Sequence, residues 1–198
     1  ESGTTPKGIE IWNNTNSTLS FATNNLVIKK GIGGNAASTD YTLSSGTLAP
    51  GAVIVIGTSD METKSTAQGA TFYAKSFTFN GNDALVVEYG GTITDMFGLE
   101  GNDPGSRWEA SGVSTRNSNI ELNFGLISGD ADGWTDPSTR FNTINSTPSA
   151  SIATDGLDGF GIPPATTTTI TGDAGWRLLS LPITGGDVSD VSDDSPVQ

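Results

Sequence analysis

The stretch Phe77 to Trp108, FTFNGNDALVVEYGGTITDMFGLEGNDPGSRW, constrains the fold more than any other. Ala84 to Tyr89 is apolar and β-branched until its last residues, which suits a strand and not an amphipathic helix. Gly90-Gly91 follows, a pair that accepts the positive φ angles of a two-residue hairpin turn. Thr92 to Phe97 then returns, with Ile93 and Phe97 expected on one face and Thr92, Thr94 and Met96 on the other. Asn80-Gly81-Asn82-Asp83 precedes the hairpin as a turn whose short side chains can bond their own backbone. Gly98 to Gly105 follows it as a glycine, acid and proline loop.

Similar runs recur along the chain. Strands are expected at Ile9–Trp12, Leu19–Phe21, Leu26–Lys30, Tyr41–Leu43, Ala52–Ile56, Thr71–Phe79, Ile120–Phe124 and Arg140–Ile144. Ile9 and Ile11 should point inward, and Glu10 and Trp12 to the opposite face. Leu48-Ala49-Pro50-Gly51 is expected to be a tight turn, of the type that places proline second and glycine third. Helical character is expected only around Asp60 to Lys64. Val113 to Asn119 and Gly129 to Thr139 read as loops, and Glu1 to Lys7 as a polar lead. Many short strands separated by Gly, Ser, Thr and Asn predict an all-β sandwich or barrel.

The order Asn80-Gly81-Asn82-Asp83-Ala84-Leu85, strand, glycine turn, Thr94-Asp95-Met96-Phe97-Gly98, then Asp103 to Trp108 resembles the bacterial form of the lamin tail domain. Gly8 to Asn14, Leu48 to Gly57 and Gly133 to Ser138 resemble that family's opening strand, its Pro-Gly turn and its closing segment. The resemblance spans roughly residues 1 to 163 and implies an immunoglobulin-like antiparallel β-sandwich of secreted or surface proteins. It implies no shared catalytic residues, since such domains are mostly accessory modules. The expected division is a sandwich over 1–164 and a linker with a β-prone acidic tail over 165–198. The tail's Trp176 to Ile183 carries more apolar surface than a free tail should expose. It resembles the opening of a further module, or a strand available for exchange with a neighbour.

The formal charge of −13 opposes binding to a nucleic-acid backbone, which requires clustered Lys and Arg. It is compatible with an extracellular medium and with divalent cations. The chain has no cysteine and no histidine. That removes disulfides, thiolate chemistry, Ser-His-Asp catalysis and the commonest zinc ligands. No run of eighteen apolar residues is present, so no membrane insertion is expected. The start at Glu1, without a leader, reads as a mature or trimmed product.

Asp130, Asp132 and Asp136, with Gly133 permitting a sharp bend, form a metal candidate offering hard oxygen ligands to calcium. An acidic surface turn explains the same residues. Glu100-Gly101-Asn102-Asp103 and Asp155-Gly156-Leu157-Asp158 pose the same choice between a cation site and turn capping. Trp108 and Trp134, in glycine-rich loops, are candidate ligand contacts that could stack on carbohydrate, or else rings pinning loops to the core. Arg107 beside Trp108 reads as a loop-fixing ion pair with an Asp, or else as a ligand contact. With 22 acids, some carboxylate pair will meet the spacing of glycoside hydrolysis by chance. Asn13, Asn16 and Asn145 begin glycosylation sequons, which an Asn-, Ser- and Thr-rich composition also produces by accident.

Three roles are compatible with these features. The first is a non-catalytic module of a secreted or cell-surface bacterial protein, serving adhesion, scaffolding or ligand contact beside neighbouring modules or other copies. The others are a subunit of an extracellular filament or surface layer, and an accessory domain of a larger hydrolase or nuclease.

Overall fold

The computed structural model describes residues 6–164. The expected tail over 165–198, with Trp176, lies outside them. The described chain is all-β with little helix. One sheet orders the strands β1 (Gly8–Trp12), β6 (Val53–Gly57) and β7 (Thr71–Ala74) as β1-β6-β7. The other orders β3 (Leu26–Gly31), β4 (Ser38–Leu43), β8 (Ala84–Tyr89) and β9 (Thr92–Phe97) as β4-β3-β8-β9. Three two-stranded ribbons flank them: β2 (Leu19–Ser20) with β5 (Thr47–Leu48), β10 (Glu109–Ala110) with β11 (Val113–Ser114), and β12 (Asn119–Leu122) with β13 (Phe141–Asn145). Among the described residues no helix is long and apolar enough to cross a membrane.

The two larger sheets face each other across one core. Leu26, Ile28 and Leu43 on one side meet Ile54 and Ile56 on the other, with Phe21, Leu48 and Phe77 closing the ends. Ile28 and Ile56 have no exposed surface, and each such burial stabilises by about 1.5–3 kcal/mol. The run Val53-Ile54-Val55-Ile56 is apolar throughout because β6 is covered on both faces. Ile54 and Ile56 enter the inner core, while Val53 and Val55 pack under Met61, Ala70 and Leu157. That outer layer is built from α1 (Glu62–Ala67), its preceding 3-10 turn Ser59–Met61 and the segment after β13.

The central hairpin forms where the sequence places it, with Gly90 at φ 60 and Gly91 at φ 80. The Pro-Gly turn forms one residue later than expected, over Ala49–Ala52 with Leu48 in β5: the Ala52 amide donates to the Ala49 carbonyl at 3.1 Å, and Gly51 sits at φ 73.

Five expectations need correction. Val113 to Asn119, read as a loop, holds β11 at Val113–Ser114 and the first residue of β12 at Asn119. Ile93 does not share a face with Phe97, because the register shifts between Val87 and Glu88: Glu88 pairs with Ile93 but Val87 with Asp95. Thr94 is the extra residue, so Ile93 falls on the side of Met96. The strand begun at Thr71 ends at Ala74, and Phe77 turns inward from irregular chain. The sheets are not wholly antiparallel, since β6 and β7 run parallel. The helical crossover over residues 58–70 supplies the length a parallel return needs. Lys7, expected in a polar lead, is 7% exposed and donates through Nζ to the Phe79 carbonyl at 2.9 Å.

Candidate functional site

β1 and β9 are edge strands, and each has one sheet partner among the described residues. The β12–β13 ribbon and the segment 157–164 lie beside them without joining either ladder. Edges that come together without a shared ladder leave space, here a cavity of about 330 Å³. Ile9, Ile11, Leu85, Val87, Phe97 and Phe141 give it apolar walls. Glu10, Asp95 and Glu121 reach the same space. No Lys or Arg is among the described residues that line it.

β1 contributes both of its faces. Ile9 and Ile11 belong to the inner core, whereas Trp12 packs on the Val53 and Val55 side, and period two puts Glu10 with Trp12. The Asn13 amide donates to the Ala52 carbonyl at 3.0 Å, and the Thr58 amide to the Lys7 carbonyl at 2.9 Å. The odd-numbered peptide groups of β1 therefore face β6, and alternation turns those of Gly8, Glu10 and Trp12 to the free edge.

The segment after β13 holds Glu10. The Gly161 amide donates to Glu10 Oε2 at 2.6 Å. Gly161 sits at φ 93, and a Cβ there would meet the Ser65 carbonyl oxygen at 2.6 Å, so backbone passes where a side chain could not. Asn119 Nδ2 donates to the Asp158 carbonyl at 2.7 Å, and Lys64 Nζ donates to Asp158 Oδ1 at 2.8 Å. Burial pushes the Glu10 carboxyl up from 4.5 to about 7. The Gly161 amide opposes that rise, and Glu121 adds to it by repulsion.

Asp95 stands on the bulged strand. Its Oδ1 accepts from the Asp130 amide at 2.8 Å and from the Met96 amide at 3.0 Å, with Arg140 Nη2 at 3.8 Å. Burial raises its carboxyl, and the Asp130 amide, Arg140 and the Met96 amide oppose the rise. The side chain remains 42% exposed, so solvent screens these interactions and little stability attaches to them.

The candidates read from the sequence lie elsewhere. Asp130 Oδ1 accepts from the Asp132 and Gly133 amides at 3.2 and 3.1 Å, and Asp136 Oδ1 accepts from the Ser138 amide at 2.9 Å. These carboxylates cap turns. Among the described residues, no three acidic side chains converge as a metal-holding group, so Asp130, Asp132 and Asp136 are not brought together. Glu100 accepts from the Ala37 amide at 2.6 Å and Asp103 from the Gly105 amide at 2.8 Å, again serving loops.

Trp108 and Trp134 are 2% and 7% exposed and form one cluster with Ala84, Phe97 and Phe141. The two indoles meet edge to face at 5.9 Å, and Trp134 meets Phe97 likewise at 5.1 Å. No ring face is offered to a sugar; of the two readings, the loop-pinning one describes them. Gly98 underlies the cluster, where a Cβ would fall 2.5 Å from the Trp108 ring. Arg107 Nη2 pairs with Glu109 at 2.5 Å, so the ion pair forms with a Glu two residues on and not with an Asp. Asn13 is fully buried, donating to the Ser17 and Leu48 carbonyls at 2.9 Å, and cannot carry a glycan.

Sequence reasoning placed Glu10 opposite Ile9 and Ile11 but drew no site from it. The usable signal was a lone acid between β-branched residues, on the face that also carries Trp12. Compared with protein-family models, with curated proteins and with solved structures, the chain matches none.

Proposed function

We propose that this chain is a non-catalytic β-sandwich module of a secreted or cell-surface bacterial protein, of the immunoglobulin-like lamin-tail type, and that it works by ligand contact at the seam. The observation that carries this reading is the cavity of about 330 Å³ between β1, β9 and β12. It falls within the roughly 300–1,000 Å³ of small-molecule sites and combines apolar walls with a few polar groups. The ordered Asn-Gly-Asn-Asp, Pro-Gly and Asp-Pro-Gly-Ser-Arg-Trp motifs support the lamin-tail type, as do two sheets facing over a shared core. Neighbouring modules and other copies are the partners that suit such a module; carbohydrate loses its support with Trp108 and Trp134 buried. The charge of −13 speaks against nucleic acid.

Amide NMR of the full chain against a panel of small amines, sugars and aliphatic acids tests the reading. Saturable shifts confined to β1, β9, β12 and the 157–164 segment are expected. A panel that moves none of them would remove the cavity as a ligand site. Truncation after Pro164, compared with the intact chain by size exclusion, decides the alternative of an assembling subunit. A monomer in both cases removes it.

One observation favours a second, catalytic reading. Glu10 holds its proton up to about 7 and has Glu121 as a neighbour, and paired carboxylates with one raised acid suit glycoside hydrolysis. Turnover of aryl glycosides by the isolated chain, lost in both E10Q and E121Q, would overturn the non-catalytic reading.

A further inference from the structure

We propose that the seam cavity takes a small organic cation, a primary ammonium group on an apolar body, with Glu10 and Glu121 meeting its charge. This inference rests on the cavity being the ligand site and names the class of ligand.

The argument begins with which acids are already matched. Glu88 pairs with Lys29, Asp40 with Lys75 at 3.0 Å, and Asp158 with Lys64 at 2.8 Å. Asp95 has Arg140 at 3.8 Å. Glu10 and Glu121 have no cationic partner among the described residues, although both line the cavity and repel each other. Ionising Glu10 there opposes both desolvation and its neighbour's charge, and a cation seated between the two offsets both. Glu10 spends one oxygen on the Gly161 amide, and none of the described residues donates to the other.

Shape and chemistry narrow the class further. A bare divalent ion wants several oxygen ligands, calcium six to eight. Of the carboxylates lining the cavity, Asp95 and Asp158 have cations beside them and Asp83 gives its oxygens to the Gly33 and Asn80 amides, which leaves Glu10 and Glu121 in a space shared with the apolar walls of Ile9, Ile11, Leu85 and Val87. Those walls accept hydrocarbon and reject a hydrated ion. The outward peptide carbonyls of β1 can accept the remaining ammonium protons.

The test is calorimetric titration of the full chain with phenethylammonium chloride, and separately with 2-phenylethanol, its neutral counterpart of similar shape. Saturable one-to-one binding is expected for the amine, at least about tenfold tighter than for the alcohol. E10Q and E121Q should each weaken the amine several-fold and leave the alcohol unchanged. Asp132→Asn, outside the cavity, should change neither. Equal binding of amine and alcohol would overturn the cation assignment while leaving the cavity as a ligand site. Binding of neither would overturn both. Calcium chloride binding at this site with no amine binding would overturn the inference in favour of a metal. Should E10Q fail to fold, E121Q, on a ribbon outside the main sheets, carries the test alone.

Discussion

Asp95 and Phe97, two residues apart on β9, meet different surroundings. Phe97 packs on one side into an aromatic cluster with Trp108, Trp134 and Phe141, and the Trp108 ring lies so close to Gly98 that a Cβ there would fall 2.5 Å from it. At Asp95 the strand borders a cavity whose other walls include Glu10 and Glu121. One region is held by close packing, and a lost ring there has nothing to replace it. The other is held by hydrogen bonds from amides and Asn119 to a loop, and it keeps charge out of water at a cost. A fold can carry such a cost only where packing elsewhere exceeds it. The aromatic cluster and the Ile28–Ile56 core are therefore what permit the seam.

That contrast can be broken experimentally, and the largest effect should come from the packed side. Trp134→Ala should destabilise by roughly 3–5 kcal/mol in urea unfolding. A loss under about 1 kcal/mol would mean the cluster does not anchor the 129–139 loop.

Glu10 gives the next largest effect, through pH. Its carboxyl is raised in the folded state, so between 4.5 and about 7 the native chain binds more protons than the unfolded one. Stability must then fall as pH rises through that window, by no more than about 3.5 kcal/mol. E10Q should be flatter over the same range and more stable than the parent above it. Parallel curves for the two proteins would refute the buried-acid description.

A pair of like substitutions sharpens the difference in packing. Val55→Ile adds a methylene where no surface is exposed and should cost about 1–3 kcal/mol. Val87→Ile adds it beside the cavity and should be neutral or stabilising, within about 1 kcal/mol. Equal penalties in thermal melts would say that the cavity is already filled.

The smallest effect belongs to the acidic loop. Asp130→Ala removes the acceptor for two amides and should cost about 1 kcal/mol. The loss should be the same with and without millimolar calcium, because the carboxylate is a turn cap. A calcium-dependent rise in melting temperature that vanishes in this variant would restore the metal reading.

Much of the fold was legible because local chemistry dictates it. Gly90-Gly91 can hardly do other than turn, and Val53 to Ile56 is apolar on both faces because both are covered. The bulge at Thr94 was not legible, since one extra residue leaves no mark on composition while reversing the alternation around Ile93. Nor was the parallel pairing of β6 and β7, which depends on where a short helix delivers the chain. The candidate site was the least legible of all. Glu10, Asp95 and Glu121 are far apart in sequence, and only the approach of unpaired edges brings them to one cavity. Conversely, the motif-like clusters Asp130–Asp136 and Glu100–Asp103 attract notice because turns need Asp, Asn and Gly. Trp108 and Trp134 stand in glycine-rich loops because the loops must fold back over them, as Gly98 shows.

The most direct measurement is a carbon NMR titration of the Glu10 side-chain carboxyl in the intact chain, followed across acid to neutral pH. A seam that withholds water from an unpaired acid predicts a midpoint near 7, moving down in E121Q as the neighbouring charge is removed. A midpoint at the ordinary glutamate value of 4.5, unmoved by E121Q, would contradict the account.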